Sequence, residues 1–508
     1  MMNSLFKTKS VTKLLDEAPA RAGGFKQTLT RLNLTSIGIG AIIGAGIFVL
    51  TGQIAGLYAG PAIVISFLIS GLACVLVALC YAEFASMIPV DGSAYTYGYA
   101  TLGEFIAWII GWSLIAEYLF SAAIVAVGWS GYVVSFLKDY GIIVPARFSA
   151  ATGTILYWLP DKGWQVLSGL SKDTLATIDI NSLQHITALM NLPAMFIIFV
   201  VAILLVLGIS ESVAFNNLMV LIKVLAIILF VSFGFSFVNQ SNWHPFIPKN
   251  TGEWGHFGLS GIFRGAAVVM VAYIGFDAVS TAAQEAKNPR RDMPWAILGS
   301  LGISTILYIL MAIVLTGLVS FTQLNVPDPI AVGVNAMGPK MFWFRPIIKI
   351  AAIAGLTSII LVMILGLPRI CFSISKDGLL PPAFSKIHKR FKTPYIGTIT
   401  TGISAIILAG ILPINILGEM ISIATLLVFV IVCIGIIILR KKKPDLHRPF
   451  RTPLVPVVPV SGALICILQM FSLPFNTWLR LIVWLAIGFV IYFTYGRSHS
   501  ELLKSNSQ

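Results

Sequence analysis

Charged residues are scarce in this sequence. Asp, Glu, Lys and Arg make up 11% of its 508 residues, whereas a soluble domain carries about 25%. Hydrophobic residues make up 57%, and the mean hydropathy is +0.91. A water-soluble core could not enclose this much apolar surface, so the composition excludes an ordinary soluble protein and indicates a membrane protein.

Cysteine is scarce as well, and the residues of common catalytic motifs form no pattern. The cysteines are Cys74, Cys80, Cys371, Cys433 and Cys466, all in apolar stretches and without metal-ligand spacing. We interpret them as small packing residues. The sequence contains no P-loop and no Ser/His/Asp constellation in a suitable context. We therefore predict no metal, no cofactor and no enzymatic activity.

Acidic residues are outnumbered, with 20 Asp and Glu against 34 Lys and Arg, and the formal net charge is +14. The basic residues concentrate in the segments 7–31, 287–291, 376–392 and 440–451, while the loops around Leu57 and Pro413 carry none. Such alternation is the positive-inside pattern of a membrane protein. It predicts that both termini are cytoplasmic and argues against a nucleic-acid partner.

Long apolar stretches are the dominant feature that the sequence does have. A helix needs roughly 20 apolar residues to cross the hydrocarbon core, and we count about twelve such stretches. We predict spans at 33–58, 60–87, 101–136, 190–208, 213–238, 257–284, 294–320, 343–375, 394–411, 414–439, 453–473 and 477–496. The segment 138–189 is predicted to be one long outer loop, because Pro160, Asp161 and Lys162 interrupt its apolar part. These features predict an all-α polytopic protein of the cell (inner) membrane.

Two of the predicted spans are interrupted near their middles. The first has four glycines within nine residues, Gly38, Gly40, Gly44 and Gly46, and the sixth has the sequence AYIG at 272–275. Each glycine inside a helix costs roughly 1 kcal/mol relative to alanine. Transporters built from two inverted repeats place broken helices at corresponding positions, here five spans apart. A tightly packed glycine seam explains the same glycines equally well.

Unwound backbone at mid-membrane depth must line a cavity or be buried in protein. An amino acid fits such a cavity, because its carboxylate can bind free amides at the N-terminus of a half-helix. Its ammonium group would then face carbonyl oxygens that the break has released from helical hydrogen bonds.

Five segments carry recognisable motifs. They are GIGAIIGAGIFVLTG (Gly38 to Gly52), DGSAYTY (Asp91 to Tyr97), LGEFIAWIIGWSLIAEY (Leu102 to Tyr118), IGFDAVSTAAQEAKNPRRDMP (Ile274 to Pro294) and RICFSISKDGLLP (Arg369 to Pro381). On these motifs the sequence, from about Phe25 to Phe450, resembles the amino acid–polyamine–organocation (APC) superfamily. Within that superfamily it is most similar to bacterial relatives of the cationic amino acid transporters.

The resemblance implies a LeuT-like fold with a core of ten helices at 33–440. Two inverted repeats of five helices, about 33–239 and 257–440, would form this core. Two extra C-terminal transmembrane helices would follow at 453–496, with cytoplasmic tails at 1–32 and 497–508.

The resemblance also implies a central substrate site. The residues implied for the carboxylate, through their amides, are Ile43, Gly44, Ala45 and Gly46. Those implied for the ammonium group, through their carbonyls, are Val271, Ala272, Ile274 and either Ile39 or Gly40. Two positions depart from the family, since Ser113 and Leu367 stand where relatives usually carry Asp and Gln.

A lysine and three acids within predicted spans are further candidates, because a charged group costs roughly 2.5–3.5 kcal/mol at the centre of a membrane helix. By resemblance, Lys223 lies where sodium-coupled relatives bind sodium, beside carbonyls near Gly40 and Ile43. Thr357 and Ser358 would supply hydroxyl groups there. The hypothesis is that a proton on Lys223 couples transport; the alternative is a structural lysine.

Glu117 could face the side-chain end of the substrate and favour a cation, or form a polar contact between helices. Met363 would line the same pocket by resemblance, or act as packing. Asp277 and Glu83 could belong to a gate or to a packing network.

The sequence is therefore interpreted as a secondary active transporter that takes up cationic and/or neutral L-amino acids with protons by alternating access. An exchanger of amino acids or polyamines without proton coupling is the alternative, and a non-transporting sensor is a third reading. The partners expected are the amino acid, protons and membrane lipids, and we expect a monomer.

Overall fold

The computed structural model describes residues 7–9, 29–88, 93–159, 163–166, 182–208, 213–277, 279 and 286–504. Most of the predicted N-terminal tail, Asp91 and Gly92 of the second motif, and the AVSTAAQE part of the fourth motif apart from Val279 lie outside these ranges.

The described residues form mainly helices. Those of eight or more residues are α1 Arg31–Ile42, α2 Ile63–Met87, α3 Ser93–Thr101, α4 Glu104–Asp139, α5 Leu192–Val206, α6 Val213–Phe235, α7 Gly258–Tyr273, α8 Pro289–Leu318, α9 Pro329–Ala336, α10 Phe344–Lys376, α11 Tyr395–Ile411, α12 Ile414–Lys442, α13 Val457–Ser472 and α14 Phe475–Ile491. Short 3₁₀ and π turns connect or extend some of them.

Each predicted span contains one of these helices. In the described chain, seven helical stretches are long and apolar enough to cross a membrane, namely Arg31–Met87, Glu104–Asp139, Asn216–Phe235, Arg290–Leu318, Phe344–Lys376, Ile414–Lys442 and Phe475–Lys504. The first of them includes two predicted spans. The shorter apolar helices α5, α7, α11 and α13 occupy four more of the predicted positions.

Both predicted interruptions fall where a helix of the described chain ends. Helix α1 ends at Ile42, Ile43 is extended, and helical structure resumes as a π turn over Gly46–Leu50. Helix α7 ends at Tyr273, Ile274 is extended, and Gly275 has a φ of +112°. A side chain at Gly275 would be strained by this left-handed φ and would also approach the Ala41 backbone to 2.7 Å.

The two breaks pack directly against each other. A Cβ added at Gly46 would overlap the Cα and Cβ of Ala272, and one added at Gly44 would overlap the Ile359 side chain. The glycines of the first span therefore serve close packing as well as the break itself.

Helices five predicted spans apart pack against each other. Helix α4 packs along α10, α2 packs along α8, and α5 packs along α11. Helix α12 packs against α4 and α13.

The predicted outer loop contains a small sheet, which the all-α prediction missed. Its strands are β1 Ile155–Leu159, β2 Gly163–Gln165 and β3 His185–Thr187, antiparallel in the order β2-β1-β3. Residues 155–159 read ILYWL, a run of good strand formers, and Leu156 is buried against Ala146 and Ala188. The run is too short to span a membrane, so the interruption after it ends a strand.

Described parts of both chain ends pack onto the side of the molecule that is predicted to be cytoplasmic. The Lys9 amide donates to the Tyr99 carbonyl at 3.0 Å, and the Lys9 ammonium lies 3.4 Å from Asp377. From the other end of the chain, the Tyr492 and Ser500 hydroxyls donate to the buried carboxylate of Glu104. The predicted tails therefore contribute to the folded structure.

Candidate functional site

A small cavity lies where the two breaks meet. It is lined by backbone and side chains of α1 and the residues after it, α4, α7 with Ile274, and α10: Ala41, Ile42, Gly44, Ala45, Gly46, Ser121, Ile124, Val125, Val271, Ile274, Ile359 and Met363. Its volume is about 20 Å³, which has room for roughly one water molecule. An amino acid would therefore fit only after the walls move apart.

The first wall of the cavity is the N-terminus of a half-helix. Within the described chain, the amides of Gly44, Ala45 and Gly46 donate no hydrogen bond, whereas the amides of Ile47 and Phe48 donate to the Gly44 carbonyl. Free amides at a helix N-terminus carry partial positive charge and attract anions. This wall is therefore suited to a carboxylate.

The opposite wall is formed by the end of α7. The Val271 carbonyl accepts a hydrogen bond of 3.3 Å from Ile274, and the Gly275 amide donates to Asp277 Oδ1 at 3.2 Å. The Ala272 carbonyl already accepts from the Tyr308 hydroxyl at 2.7 Å. The Ala272 carbonyl thus keeps one free lone pair. Of the residues predicted to bind the ammonium group, Val271 and Ile274 line the cavity.

Tyr308 connects the two breaks, and the sequence analysis did not identify it. Its hydroxyl lies 2.8 Å from the Ile42 carbonyl and 2.7 Å from the Ala272 carbonyl. Because a hydroxyl has one proton, it can donate to only one of these carbonyls at a time. A single tyrosine in an apolar helix leaves no sequence pattern that would reveal this role.

Ser121 is a second residue that the sequence analysis missed. Its buried hydroxyl lines the cavity and makes no hydrogen bond with the part of the chain that the structure describes. A polar group that enters the cavity would give this buried hydroxyl the hydrogen-bond partner that it lacks.

Five of the residues predicted to bind the substrate lie outside the lining, namely Ile39, Gly40, Ile43, Glu117 and Ala272. Glu117 is 2% exposed and lies one helical turn before Ser121. It is close enough to Asp277 for the two carboxyl groups to interact electrostatically. Glu117 therefore lies outside the lining, and the wall itself is largely apolar.

Lys223 is fully buried on α6 and contacts the first break. In a continuous helix the Gly40 carbonyl would accept from the Gly44 amide. The break removes that bond, and the Lys223 ammonium donates to the Gly40 carbonyl at 3.1 Å instead. Gly355 of α10 makes room for the lysine, since a Cβ there would lie 3.0 Å from Lys223 Cγ.

The hydroxyl groups predicted near Lys223 have different environments. Thr357 donates to the Ile353 carbonyl at 2.8 Å and accepts from the Trp129 indole at 2.9 Å. Ser358 is buried. Lys223 itself joins α6 to the Gly40 carbonyl and packs beside Gly355 of α10.

Glu83 forms a packing network. Its buried carboxylate accepts from Arg440 at 2.6 and 3.1 Å and from the Thr452 amide at 2.7 Å, and Arg448 lies 3.3 Å away.

The described residues hold no cluster of His, Cys, Asp and Glu suited to a metal ion.

A bundle of apolar helices long enough to cross a membrane, two of which end at one cavity, is typical of a membrane transporter. The sequence matches the family model described as "Amino acid permease" over residues 29–493. The chain belongs to this family, so it is a multi-pass membrane permease of the APC superfamily and not an enzyme.

Relatives in the family carry different substrate names. The chain is 41% identical to the methylthioribose transporter and 42% identical to the branched-chain amino acid permease BcaP of Bacillus subtilis (strain 168), in each case over 99% of this chain and 100% of the relative. It is 34% identical to the vacuolar cationic amino acid transporter 4 of Arabidopsis thaliana, over 87% of this chain and 68% of the relative.

Proposed function

We propose that the protein is a secondary transporter that carries an amino acid by alternating access through the cavity between the two breaks. The main support for this proposal is that the free amides of Gly44, Ala45 and Gly46 and the end of α7 line the same cavity. These groups match the carboxylate and ammonium that every amino acid has. The small volume corresponds to a closed state, from which the walls must separate to admit substrate.

The proposed architecture is a LeuT-like pair of inverted repeats. Its support is the packing of α2 on α8, α4 on α10 and α5 on α11, since each pair joins corresponding helices of the two repeats. A pseudo-two-fold axis in the membrane plane relates the two repeats in such an architecture. Alternating access would then move one set of helices relative to the other around the cavity.

For the side chain, we propose a neutral apolar amino acid of the branched-chain type. The wall that would surround it consists of Ile124, Val125, Ile359 and Met363, with the hydroxyl of Ser121. A relative named a branched-chain amino acid permease is 42% identical to this chain. An apolar wall favours Leu, Ile or Val because a cation would lose its hydration there without a partner.

A cationic amino acid is the second candidate. Glu117 and Asp277 supply two acids just outside the wall. A guanidinium that passed Ser121 could pair with them. Glu117→Gln separates the candidates, because it should lower uptake of arginine but leave uptake of leucine unchanged.

We propose proton coupling through Lys223. The protonated lysine holds the Gly40 carbonyl at the first break, and a neutral lysine would release it, so protonation is linked to the position of α1. An exchanger driven by substrate gradients alone would not need this link.

Purified protein in liposomes tests the proposed function. Uptake of labelled leucine, arginine and methylthioribose should be measured without sodium, both with a pH gradient that is acidic outside and after that gradient is dissipated, and then measured again with sodium. Accumulation of leucine that collapses with the gradient is expected. Uptake of methylthioribose with no amino acid transported, or strict sodium dependence, would contradict it, and counterflow without any effect of pH would identify an exchanger.

A further inference from the structure

A second cavity lies at the end of the molecule that carries the basic segments. It has a volume of about 150 Å³ and lies between the end of α2, the start of α8, the end of α12 and the residues after α12. Its lining consists of Ser86, Met87, Ile88, Arg290, Leu439, Leu446, His447 and Pro449. It is separate from the cavity between the breaks.

The lining of this second cavity is amphipathic. Arg290 and His447 are exposed and supply the basic groups, while Met87, Ile88, Leu439 and Pro449 supply apolar surface. A cavity of about 150 Å³ accepts a group of roughly six heavy atoms. A phosphate with its first ester carbon is of this size.

The wall that carries His447 is held rigidly. Arg448 donates to the carbonyls of Lys443, Pro444 and Leu446 at 2.7–2.8 Å. Its guanidinium also lies 3.3 Å from Glu83, whose charge is already paired with arginine. The segment is thus preorganised, and Glu83 does not neutralise the basic groups of the cavity.

A tryptophan indicates the depth of the cavity in the membrane. Trp295 follows Arg290 by five residues on α8, about 7.5 Å along a helix, and is 63% exposed. Exposed tryptophans concentrate at the boundary between acyl chains and headgroups. Arg290 then lies on the water-facing side of that boundary, at the level of the lipid phosphates.

We propose that this cavity binds the phosphate group of an anionic phospholipid in the cytoplasmic leaflet. Arg290 and His447 hold the phosphate oxygens, and the apolar lining contacts the glycerol and the start of the acyl chains. Basic pockets between membrane helices on the cytoplasmic side bind such headgroups. Free phosphate shares the charge but cannot cover the apolar lining.

Stabilisation of the purified transporter by lipid tests this site. The melting temperature in detergent is measured with phosphatidylglycerol, with phosphatidylcholine and with inorganic phosphate. Phosphatidylglycerol should raise the melting temperature most, and the double substitution Arg290→Gln with His447→Gln should remove most of that rise. Arg291→Gln is the matched control, because Arg291 is also exposed on α8 but does not line the cavity.

The proposal is overturned if the double variant and the Arg291→Gln variant respond equally to phosphatidylglycerol. Equal stabilisation by phosphatidylcholine would exclude recognition of the anionic charge, and equal stabilisation by inorganic phosphate would exclude a lipid as the source. If the double variant does not fold, retention of phosphatidylglycerol by native mass spectrometry is compared between wild type and Arg290→Gln alone. Unchanged retention in that variant would also overturn the proposal.

Discussion

At the residue scale, Lys223 replaces a helical hydrogen bond that the first break removes. Substitution of Lys223 by Met should abolish accumulation of substrate driven by a pH gradient, because the Gly40 carbonyl would lose its titratable donor. Exchange without a gradient should persist. Uptake and counterflow in the same liposomes measure the two activities separately.

Lys349→Met is the matched control for Lys223, since Lys349 is also fully buried and lies away from the first break, paired with Asp139. Lys349→Met should keep its response to the pH gradient. Full gradient-driven accumulation by Lys223→Met would contradict the coupling role.

Asp328, which immediately precedes α9, gives the fold a pH dependence of its own. Burial raises the pKa of the Asp328 carboxyl from 3.8 to about 6, against the opposing effects of a hydrogen bond from Ser135 and the charges of Lys349 and Lys138. Between about pH 4 and 6 the folded state therefore holds a proton that the unfolded state has lost. The stabilisation is complete below this window and is lost as the pH rises through it.

A rise of this size in the pKa corresponds to about 3 kcal/mol. The melting temperature of the wild type should therefore fall, relative to that of Asp328→Asn, as the pH rises from 4 to 7. Glu253→Gln, at a carboxylate whose side chain is 79% exposed, should parallel the wild type. A constant difference between wild type and Asp328→Asn across this range would contradict the assignment.

At the scale of elements, the contact between the two breaks depends on the absence of a side chain at Gly46. Gly46→Ala would place a Cβ inside Ala272. Overpacking of this kind costs about 1–3 kcal/mol, so the melting temperature and the transport rate should both fall. Gly302→Ala is the control, because Gly302 lies in α8 with nothing within 4 Å; it should be neutral or stabilising. Equal effects of the two substitutions would contradict the packing account.

The C-terminal segment depends on a second close contact. Gly378 has a φ of +84°, and a Cβ there would overlap the His499 carbonyl, whereas Gly338 has a φ of +83° with nothing within 4 Å. Both alanine substitutions strain the backbone, but only Gly378→Ala should also displace the segment after Gly496. Faster proteolysis of that segment in Gly378→Ala than in Gly338→Ala is expected, and equal rates would contradict it.

At the scale of the whole molecule, the lengths of the apolar stretches and the positions of the glycines allow most of the fold to be predicted from the sequence. Every predicted span contains a helix, and the glycines near Gly44 and Gly275 marked both breaks. The sheet at Ile155–Leu159 was missed because five apolar residues fit a loop, a strand or part of a helix. Tyr308 and Ser121 were missed because their roles depend on contacts between helices distant in sequence.

The backbone at the two breaks is proposed to bind the amino and carboxylate groups of the substrate. A binding measurement on purified protein compares leucine with leucinamide, which lacks the carboxylate, and with 4-methylpentanoate, which lacks the ammonium group. If the preferred substrate is another amino acid, its own amide and deaminated analogues are used. Only the intact amino acid should raise the melting temperature, and equal stabilisation by either analogue would rule out binding through both groups.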